Sequence, residues 1–218
     1  MKKTLFFLVL VLACGGCRWG GMGAHTTGSG VMKVDKRNVP AFAALEVSGA
    51  YDVEIVCGKE QSLEVEGDDN LLPLITTDVS DGVLRIGNKS GGFSTKNKLR
   101  VRISAPEFEA VSTSGASDIN ISNIKSDAFN IETSGAGNVH ATGEVKTLEV
   151  KMSGAGEVNA RDLRAGKVTV HSSGAASADV YASEELRAEV SGAGHVNYYG
   201  DPKVFSEDRS GAATITKK

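Results

Sequence analysis

The side chains in this sequence whose types and spacing could do chemistry are amides, carboxylates and imidazoles that recur at fixed distances from a repeated Ser-Gly-Ala tripeptide. They stand four or six residues after the serine of each repeat and are Asp118, Asn120, Asn138, His140, Glu157, Asn159, Asp179, His195 and Asn197. Such groups can donate and accept hydrogen bonds. A wall of them could hold the hydroxyl groups of a repeating polysaccharide, so these nine residues form the candidate binding face. The alternative is that they are solvated strand positions, with stacked asparagines that stabilise the coil itself.

Two members of this face, Glu157 and Asp179, are carboxylates that adjacent repeats could bring close together. Hydrolysis of a glycosidic bond usually needs two carboxyl groups about 5–9.5 Å apart. No Arg, Lys or His gathers around this pair in the sequence, although general acid–base catalysis depends on neighbours that tune the pKa values. We therefore expect a non-enzymatic protein without catalytic residues. The alternative is a hydrolase or lyase that acts on envelope polysaccharide through Glu157 and Asp179.

The sequence carries no recognisable motif for a metal, a cofactor or a nucleic acid. Its four histidines are dispersed, and no HxH, HExxH or CxxC pattern with two usable thiols occurs. The glycine-rich corners lack the helix and the Lys-Ser/Thr pair of a phosphate-binding loop. A net charge of −3 gives no electrostatic case for nucleic acid. We expect no metal, no cofactor and no nucleic-acid partner.

The tripeptide itself indicates how these side chains are positioned. It occurs six times in residues 108–218, with spacings of 18 to 20 residues. Its serines are Ser114, Ser134, Ser153, Ser173, Ser191 and Ser210. A fixed period of this length is typical of a solenoid, in which one structural unit stacks on its copies.

Residues on both sides of each tripeptide alternate between apolar and polar, as in Leu148, Val150 and Met152 with Glu149 and Lys151 between them. This period of two predicts half-buried strands. Glycine permits the tight corner between two strands. The sequence therefore predicts an all-β protein, a right-handed parallel β-helix with rungs of about 19 residues. An antiparallel meander is the alternative.

The two ends of the predicted coil differ from its middle. Residues 31–104 contain less regular strands, which predict wider rungs or a small β-sheet cap continuous with the regular repeats of residues 105–218. In the last repeat the inward positions fall on Phe205, Glu207 and Arg209. Charges are costly to bury, so we expect a capping rung that stops end-to-end growth.

The amino terminus predicts export and a lipid anchor. Lys2 and Lys3 precede an apolar run that is too short to span a bilayer. The following cysteines resemble the lipobox of bacterial lipoproteins, with Cys17 the predicted lipidated residue and Cys14 the alternative. We expect residues 1–17 to be a signal peptide, residues 18–30 a flexible glycine-rich tether, and residues 31–218 one β-solenoid domain. Cys57 would then be the one remaining thiol, without an intrachain disulfide.

Three features together resemble a known family. The first is the lipoprotein leader. The second is the segment Phe42-Ala43-Ala44-Leu45-Glu46-Val47-Ser48-Gly49-Ala50-Tyr51-Asp52-Val53, and the third is Asp69-Asn70-Leu71-Leu72-Pro73 followed by serial Ser-Gly-Ala turns. They are similar to the autotransporter adhesin "head GIN domain" family of Gram-negative envelope proteins, over residues 34–215. The resemblance implies a β-helical fold and a place in the cell envelope. The family has no established catalytic residues, so it implies none here.

These observations lead to one expectation about partners and location. We expect an outer-membrane lipoprotein, anchored in the membrane by its N-terminal lipid, that acts as an adhesin or binds a polysaccharide or a protein. The residues Arg18-Trp19-Gly20-Gly21 lack an acidic run, so the periplasmic and the surface side stay equally open. A structural protein that forms homo-oligomers is a further alternative.

Overall fold

The computed structural model describes residues 25–89 and 92–218. The predicted signal peptide, Cys14 and Cys17 lie outside the described residues. The strands are β1 (Thr26–Thr27), β2 (Met32–Lys36), β3 (Ala44–Gly49), β4 (Asp52–Cys57), β5 (Ser62–Asp68), β6 (Ile75–Ser80), β7 (Val83–Asn88), β8 (Phe93–Ser94), β9 (Arg100–Ala105), β10 (Ala110–Gly115), β11 (Asp118–Gly135), β12 (Asn138–Gly154), β13 (Glu157–Gly174), β14 (Ser177–Gly192), β15 (His195–Tyr199), β16 (Val204–Gly211) and β17 (Thr214–Lys217). One short 3-10 helix spans Leu72–Leu74. Among the described residues, no helix has the length and apolar character needed to cross a membrane.

The strands β11 to β14 form the regular coil. Each begins just after one Ser-Gly-Ala corner and ends at the next. Successive strands pair in parallel and in register, so that Ser134, Ser153 and Ser173 lie side by side. The register shifts only in the middle of each pair, which absorbs the unequal repeat lengths. The predicted parallel solenoid is confirmed, and the antiparallel meander is excluded for this part of the chain.

The corners depend on glycine for two reasons. Gly154 has a φ of 129°, in a region that residues with side chains rarely adopt. A Cβ atom at this position would lie 2.3 Å from the carbonyl oxygen of Gly135 on the preceding rung. The corners stack closely because no side chain separates them.

The interior of the coil is a set of apolar columns. One column contains Val111, Ile131, Val150, Val170 and Ala188, all of them buried and each opposite the next in the sheet. Burying one such side chain contributes roughly 1.5–3 kcal/mol for the larger members. The alternation that fills these columns also points the intervening polar residues outward.

In the N-terminal part, the order of the rungs in space differs from their order in the sequence. The strand β3 lies between β7 and β10, and β4 lies between β9 and β11, with parallel pairing throughout. The chain therefore builds the second rung first, returns to build the first rung with β7 and β9, and then crosses to β10. One fifteen-stranded sheet connects all of these strands with the regular coil.

Antiparallel strands cover the outer side of the first rung. The strand β5 pairs with β9 and β2 pairs with β5, while β6 pairs with β7. The sequence predicted wider rungs or a small sheet as alternatives, and the N-terminal part combines parallel rungs with antiparallel strands that cover them.

The last rung carries charges at its inward positions, as the sequence predicts. In the parallel register of β16 on β14, Arg209 lies opposite Val190 and Glu207 opposite Ala188. The two charged side chains pair with each other at 2.9 Å, and every residue of β16 is exposed. Charges placed here do not have to be buried and oppose the addition of another strand.

The segment expected to be a flexible tether is attached to the body in the portion that the structure describes. Thr26 and Thr27 pair in parallel with β8. The backbone N–H of Ser29 donates to Asn70 Oδ1 at 2.9 Å, and that of Gly30 donates to Asp68 Oδ1 at 2.9 Å. We call residues 26–30 the strap, because these hydrogen bonds fix it across the start of the domain.

Candidate binding face

The structure brings all nine residues of the candidate binding face onto one sheet. They occupy the first segments of β11 to β14 together with β15, where each strand leaves its glycine corner. One column runs Asp118, Asn138, Glu157, Ser177, His195, and the second runs Asn120, His140, Asn159, Asp179, Asn197. The spacing in the sequence therefore becomes two parallel columns in space.

These side chains project outward because they alternate with core residues. Ile119, Val139 and Val158 are buried between the columns. Asp118 and Glu157 are exposed, while the other members are exposed or half-buried. The face is a shallow depression of about 450 Å³ over its first rungs, so it can contact an extended ligand but does not enclose one.

Some of the polar groups satisfy each other along the columns. The amide of Asn138 donates to Asp118 Oδ1 at 2.8 Å, and that of Asn197 donates to Asp179 Oδ1 at 2.8 Å. These contacts support the alternative in which the columns help to stabilise the coil. Asn159 differs, since its Oδ1 atom is buried and has no partner among the described residues.

The candidate binding face continues into the N-terminal part. Asp52 lies opposite Asp118 and Glu54 lies opposite Asn120. The sequence analysis missed both residues, although they stand four and six residues after Ser48 in an earlier Ser-Gly-Ala tripeptide. The same offsets that found the other nine residues could have found these two.

Ion pairs distinguish this N-terminal extension from the rest of the face. Asp52 lies 3.5 Å from Lys98, and Glu66 lies 3.3 Å from Arg100 and 2.9 Å from Arg102. Within the described residues, the members of the candidate binding face on β11 to β15 form no ion pair of this kind. The coil therefore presents hydrogen-bonding groups that no ion pair occupies, whereas the extension presents paired charges.

The two carboxylates considered for catalysis lie in adjacent strands but not directly opposite each other. Glu157 faces Ser177, and Asp179 faces Asn159. With strands ~4.8 Å apart and a rise of ~3.3 Å per residue, this diagonal relation puts the two Cα atoms roughly 8 Å apart. Inverting glycosidases place their two carboxyl groups about 6.5–9.5 Å apart. Contrary to the expectation from the sequence, histidines do lie near them, because His140 and His195 occupy diagonal positions in the flanking strands.

The described residues contain no cluster of three or more His, Cys, Asp or Glu side chains that could hold a metal ion.

The aromatic residue that directly follows the face in the sequence, Tyr198, belongs to the packed interior. Tyr198 lies opposite the buried Val180, and its ring stacks on Phe205 with 5.2 Å between the ring centroids. It is therefore placed in the last rungs of the core and not on the face. Tyr181 and Tyr199 lie opposite each other, are half-buried, and continue the outward alternation beyond the end of the face. The chemistry available on the nine residues of the face itself is hydrogen bonding to a ligand.

A second polar surface, which the sequence analysis did not identify, lies on the strands that precede the glycine corners. We call it the serine face; it combines the tripeptide serines Ser153, Ser173, Ser191 and Ser210 with Glu132, Lys151, His171, Glu189 and Asp208. His171 Nδ1 lies 3.0 Å from Glu189 Oε2, and Glu149 raises the pKa of Lys151 by accepting a hydrogen bond from it. Its signal was present in the sequence as a polar residue two positions before each serine.

The stacked parallel strands and the outward polar columns define a β-solenoid that presents a flat surface for contacts. The family described as "Putative auto-transporter adhesin, head GIN domain" matches residues 41–202. The chain belongs to this family, which confirms the resemblance seen in the sequence. An adhesin-like family indicates an extracellular or envelope-associated protein. No curated protein matches the chain.

Solved structures from Bacteroides and Parabacteroides species share the fold. A putative adhesin from Bacteroides fragilis is 24% identical, with a TM-score of 0.68 over 88% of this chain and 99% of that one. A putative adhesin from Parabacteroides merdae is 19% identical, with a TM-score of 0.60 over 89% and 99%. A putative lipid binding protein from Parabacteroides distasonis is 21% identical, with a TM-score of 0.59 over 89% and 99%. At these identities the likeness shows the fold alone.

Proposed function

We propose that the protein is a non-enzymatic lipoprotein of the outer membrane that binds an extended polysaccharide along its candidate binding face. The observation that carries this proposal is the in-register repetition of hydrogen-bonding side chains on successive rungs. Rungs of a parallel sheet repeat every ~4.8 Å. A polymer with its own repeat can therefore meet equivalent donors and acceptors several times along its length.

The distribution of charge supports an uncharged or weakly charged ligand. In the middle of the face, Asn120, His140 and Asn159 stand in one column beside Asn138 and Glu157. Amides can donate and accept in the same contact, which suits hydroxyl groups. Since none of the nine residues of the face is a Phe, Tyr or Trp that could contribute stacking energy, we expect weak binding per sugar and dependence on several sugars in a row.

The membrane anchor in this proposal is Cys17, with Cys14 as the alternative acceptor of the lipid. The family's envelope association supports an exported protein. Incorporation of a radiolabelled fatty acid into the wild type, and its loss in Cys17→Ala, is the expected result. Labelling that persists in Cys17→Ala and disappears in Cys14→Ala would show that Cys14 carries the lipid. Absence of labelling from the wild type would contradict the lipid anchor.

Binding is tested on a glycan array with the folded protein and two matched double variants. Glu157→Ala with Asn159→Ala changes the candidate binding face, while Glu132→Ala with Asn130→Ala makes the same substitutions at exposed positions that precede a glycine corner, outside that face. We expect the first variant to lose a glycan signal that the second keeps. Silence of the wild type across the array, or equal loss in both variants, would contradict polysaccharide binding at this face.

Exposure of the protein to the outside is tested by adding protease to intact cells. Digestion on intact cells would support the adhesin form of the proposal. Protection until the outer membrane is opened would exclude that form and direct the search to periplasmic glycans.

A further inference from the structure

The strap is held by a set of acceptors that come from a single turn, Asp68-Asp69-Asn70. Asp68 accepts hydrogen bonds from the Gly30 N–H at 2.9 Å and from the Asn97 amide at 2.8 Å, and also from the Thr95 hydroxyl. These donors hold the pKa of the Asp68 carboxyl below its usual value, the Thr95 hydroxyl most of all. One buried carboxylate thus joins the strap to the loop that contains β8.

Two neighbours of Asp68 complete this attachment. Asp69 accepts a hydrogen bond from the Ser29 hydroxyl at 2.6 Å, and the Asn70 amide donates to the Thr27 carbonyl at 2.8 Å. Gly28 fits against the turn because it has no side chain, since a Cβ atom there would lie 2.1 Å from Asp68 Oδ2. We call the turn Asp68-Asp69-Asn70 the strap seat, because its side chains hold the strap on the folded body. The strap is therefore not a free part of the tether.

The seat determines where the chain leaves the folded body. The strap runs alongside β8 in the loop Phe93-Ser94-Thr95-Lys96-Asn97-Lys98, with Thr26 opposite Phe93. This loop carries two lysines and no acidic residue. Lys96 is exposed and forms no ion pair with the described residues, while Lys98 is exposed and lies 3.5 Å from Asp52.

We infer that the docked strap sets the orientation of the solenoid on the bilayer and places the loop of residues 93–98 against the lipid headgroups. This inference rests on the lipid anchor proposed above. The exposed ammonium group of Lys96 is the contact for headgroup phosphate, and anionic lipids attract such groups close to the membrane surface. The first rungs are then proximal to the membrane, and the last rung is distal.

The docked and the released strap leave linkers of different length between the lipid anchor and the folded body. Eight Cα–Cα steps lead from Cys17 to His25, and they can span at most about 28 Å when fully extended. With the strap released, the thirteen steps from Cys17 to Gly30 could span about 45 Å. From β3 to β16 the sheet extends over six strand spacings, or roughly 30 Å.

The test uses the full-length lipidated protein in vesicles of phosphatidylethanolamine and phosphatidylglycerol that contain a headgroup-attached quencher. Ser94→Cys, in the same loop as Lys96, and the matched control Ser206→Cys, an exposed serine of the last rung, are labelled with a fluorophore, so that Lys96 itself stays in place. Cys57 stays unlabelled because it is buried. We expect at least threefold more quenching at position 94 than at position 206.

Release of the strap provides the second part of the test. In Gly28→Ala, and separately in Asp68→Asn, we expect quenching at position 94 to fall by half or more while the circular dichroism spectrum keeps its strand signal. A third variant, Ser29→Ala with Asn70→Ala, removes strap contacts at the surface if either of the first two fails to fold.

The outcomes separate this inference from the proposal on which it rests. Equal quenching at the two positions in a lipidated protein, or quenching unaffected by strap release, would overturn the orientation and leave the anchor standing. Absence of incorporated lipid, with loss of vesicle association, would overturn the anchor and the orientation together.

Discussion

The regular coil of residues 108–218 and the N-terminal part of residues 26–105 use the same corner and the same strand alternation, but they order their rungs differently. In the coil, each rung lies beside the one that precedes it in the sequence. In the N-terminal part, the rung made by β3 and β4 lies between two rungs that come later in the chain. Local pattern thus decides the shape of a rung, whereas pairing between distant segments decides its place in the stack.

The two regions also use their polar surface differently. Ion pairs such as Arg102 with Glu66 and Arg85 with Glu46 connect the strands of the N-terminal part. On the candidate binding face of the coil, amides meet carboxylates at Asn138 and Asn197. Exposed ion pairs contribute little to stability, so the difference concerns mainly which groups are available to a ligand.

The largest expected effect comes from a side chain at a corner of the coil. Gly154→Ala should lower the free energy of unfolding by about 3–5 kcal/mol, because it adds backbone strain to a collision with the preceding rung. Urea denaturation measures the change. The matched substitution in the N-terminal part is Gly58→Ala, where φ is 79° but nothing lies within 4 Å of the new Cβ atom.

Gly58→Ala should cost only about 1–2 kcal/mol, the penalty of a left-handed backbone. Equal losses in the two variants would show that close stacking of the corners does not distinguish the coil from the N-terminal part.

Acid should act on the N-terminal part before the coil, through Asp68. The folded-state pKa of this carboxyl lies below its ordinary value of 3.8, since Thr95, Asn97 and Gly30 donate hydrogen bonds to it. Its contribution to stability is therefore complete above that ordinary value and is lost as the pH falls through the lower folded-state pKa. Denaturation at pH 7 and at pH 3 should show a smaller difference for Asp68→Asn than for the wild type.

The control for this prediction is Asp127→Asn, which changes an exposed carboxylate of the coil that pairs with Lys146. We expect its pH dependence to follow the wild type. A pH dependence of Asp68→Asn that matches the wild type would show that the strap seat does not contribute to acid sensitivity.

These two regions also differ in how much the sequence could predict. The tripeptide period and the alternation around it predicted the parallel coil and the outward columns, because a repeated local pattern must give a repeated local structure. The place of β3 and β4 could not be predicted in this way, since the alternation of Leu45 and Val47 is the same whichever strands lie beside them. Their partners are chosen by segments far away in the chain.

The attachment of the strap could not be predicted from its own residues. Its glycine-rich composition indicates flexibility, whereas the acceptors that fix Ser29 and Gly30 lie about 40 residues later in the chain. Asp52 and Glu54, in contrast, were predictable from their offsets after Ser48. Whether the face binds a ligand is not encoded in its alternation and stays a prediction.

A smaller effect is expected for the thiol at the end of β4. Cys57 is buried, and burial raises its pKa to about 11, so at pH 8 only on the order of 0.1% of it is thiolate. We expect no labelling by a thiol reagent in the native protein and complete labelling in urea. Rapid labelling without urea would show that the N-terminal part opens more readily than the packing of its rungs implies.

The smallest effect on stability is expected on the candidate binding face. Glu157→Ala with Asn159→Ala should change the free energy of unfolding by less than about 1 kcal/mol, as is usual for substitutions of outward side chains. Asn130→Ala with Glu132→Ala should behave alike in the same denaturation experiment. A much larger loss in the first pair would favour a purely structural role for the columns.

Hydrogen exchange of the protein with and without the glycan that it binds best tests most directly whether the candidate binding face holds the ligand. We predict that the glycan slows exchange in the first segments of β11, β12 and β13, which carry Asn120, His140 and Asn159, and leaves the segments that carry Glu132 and Lys151 unchanged. Slower exchange on the serine face, with none on the candidate binding face, would contradict the account.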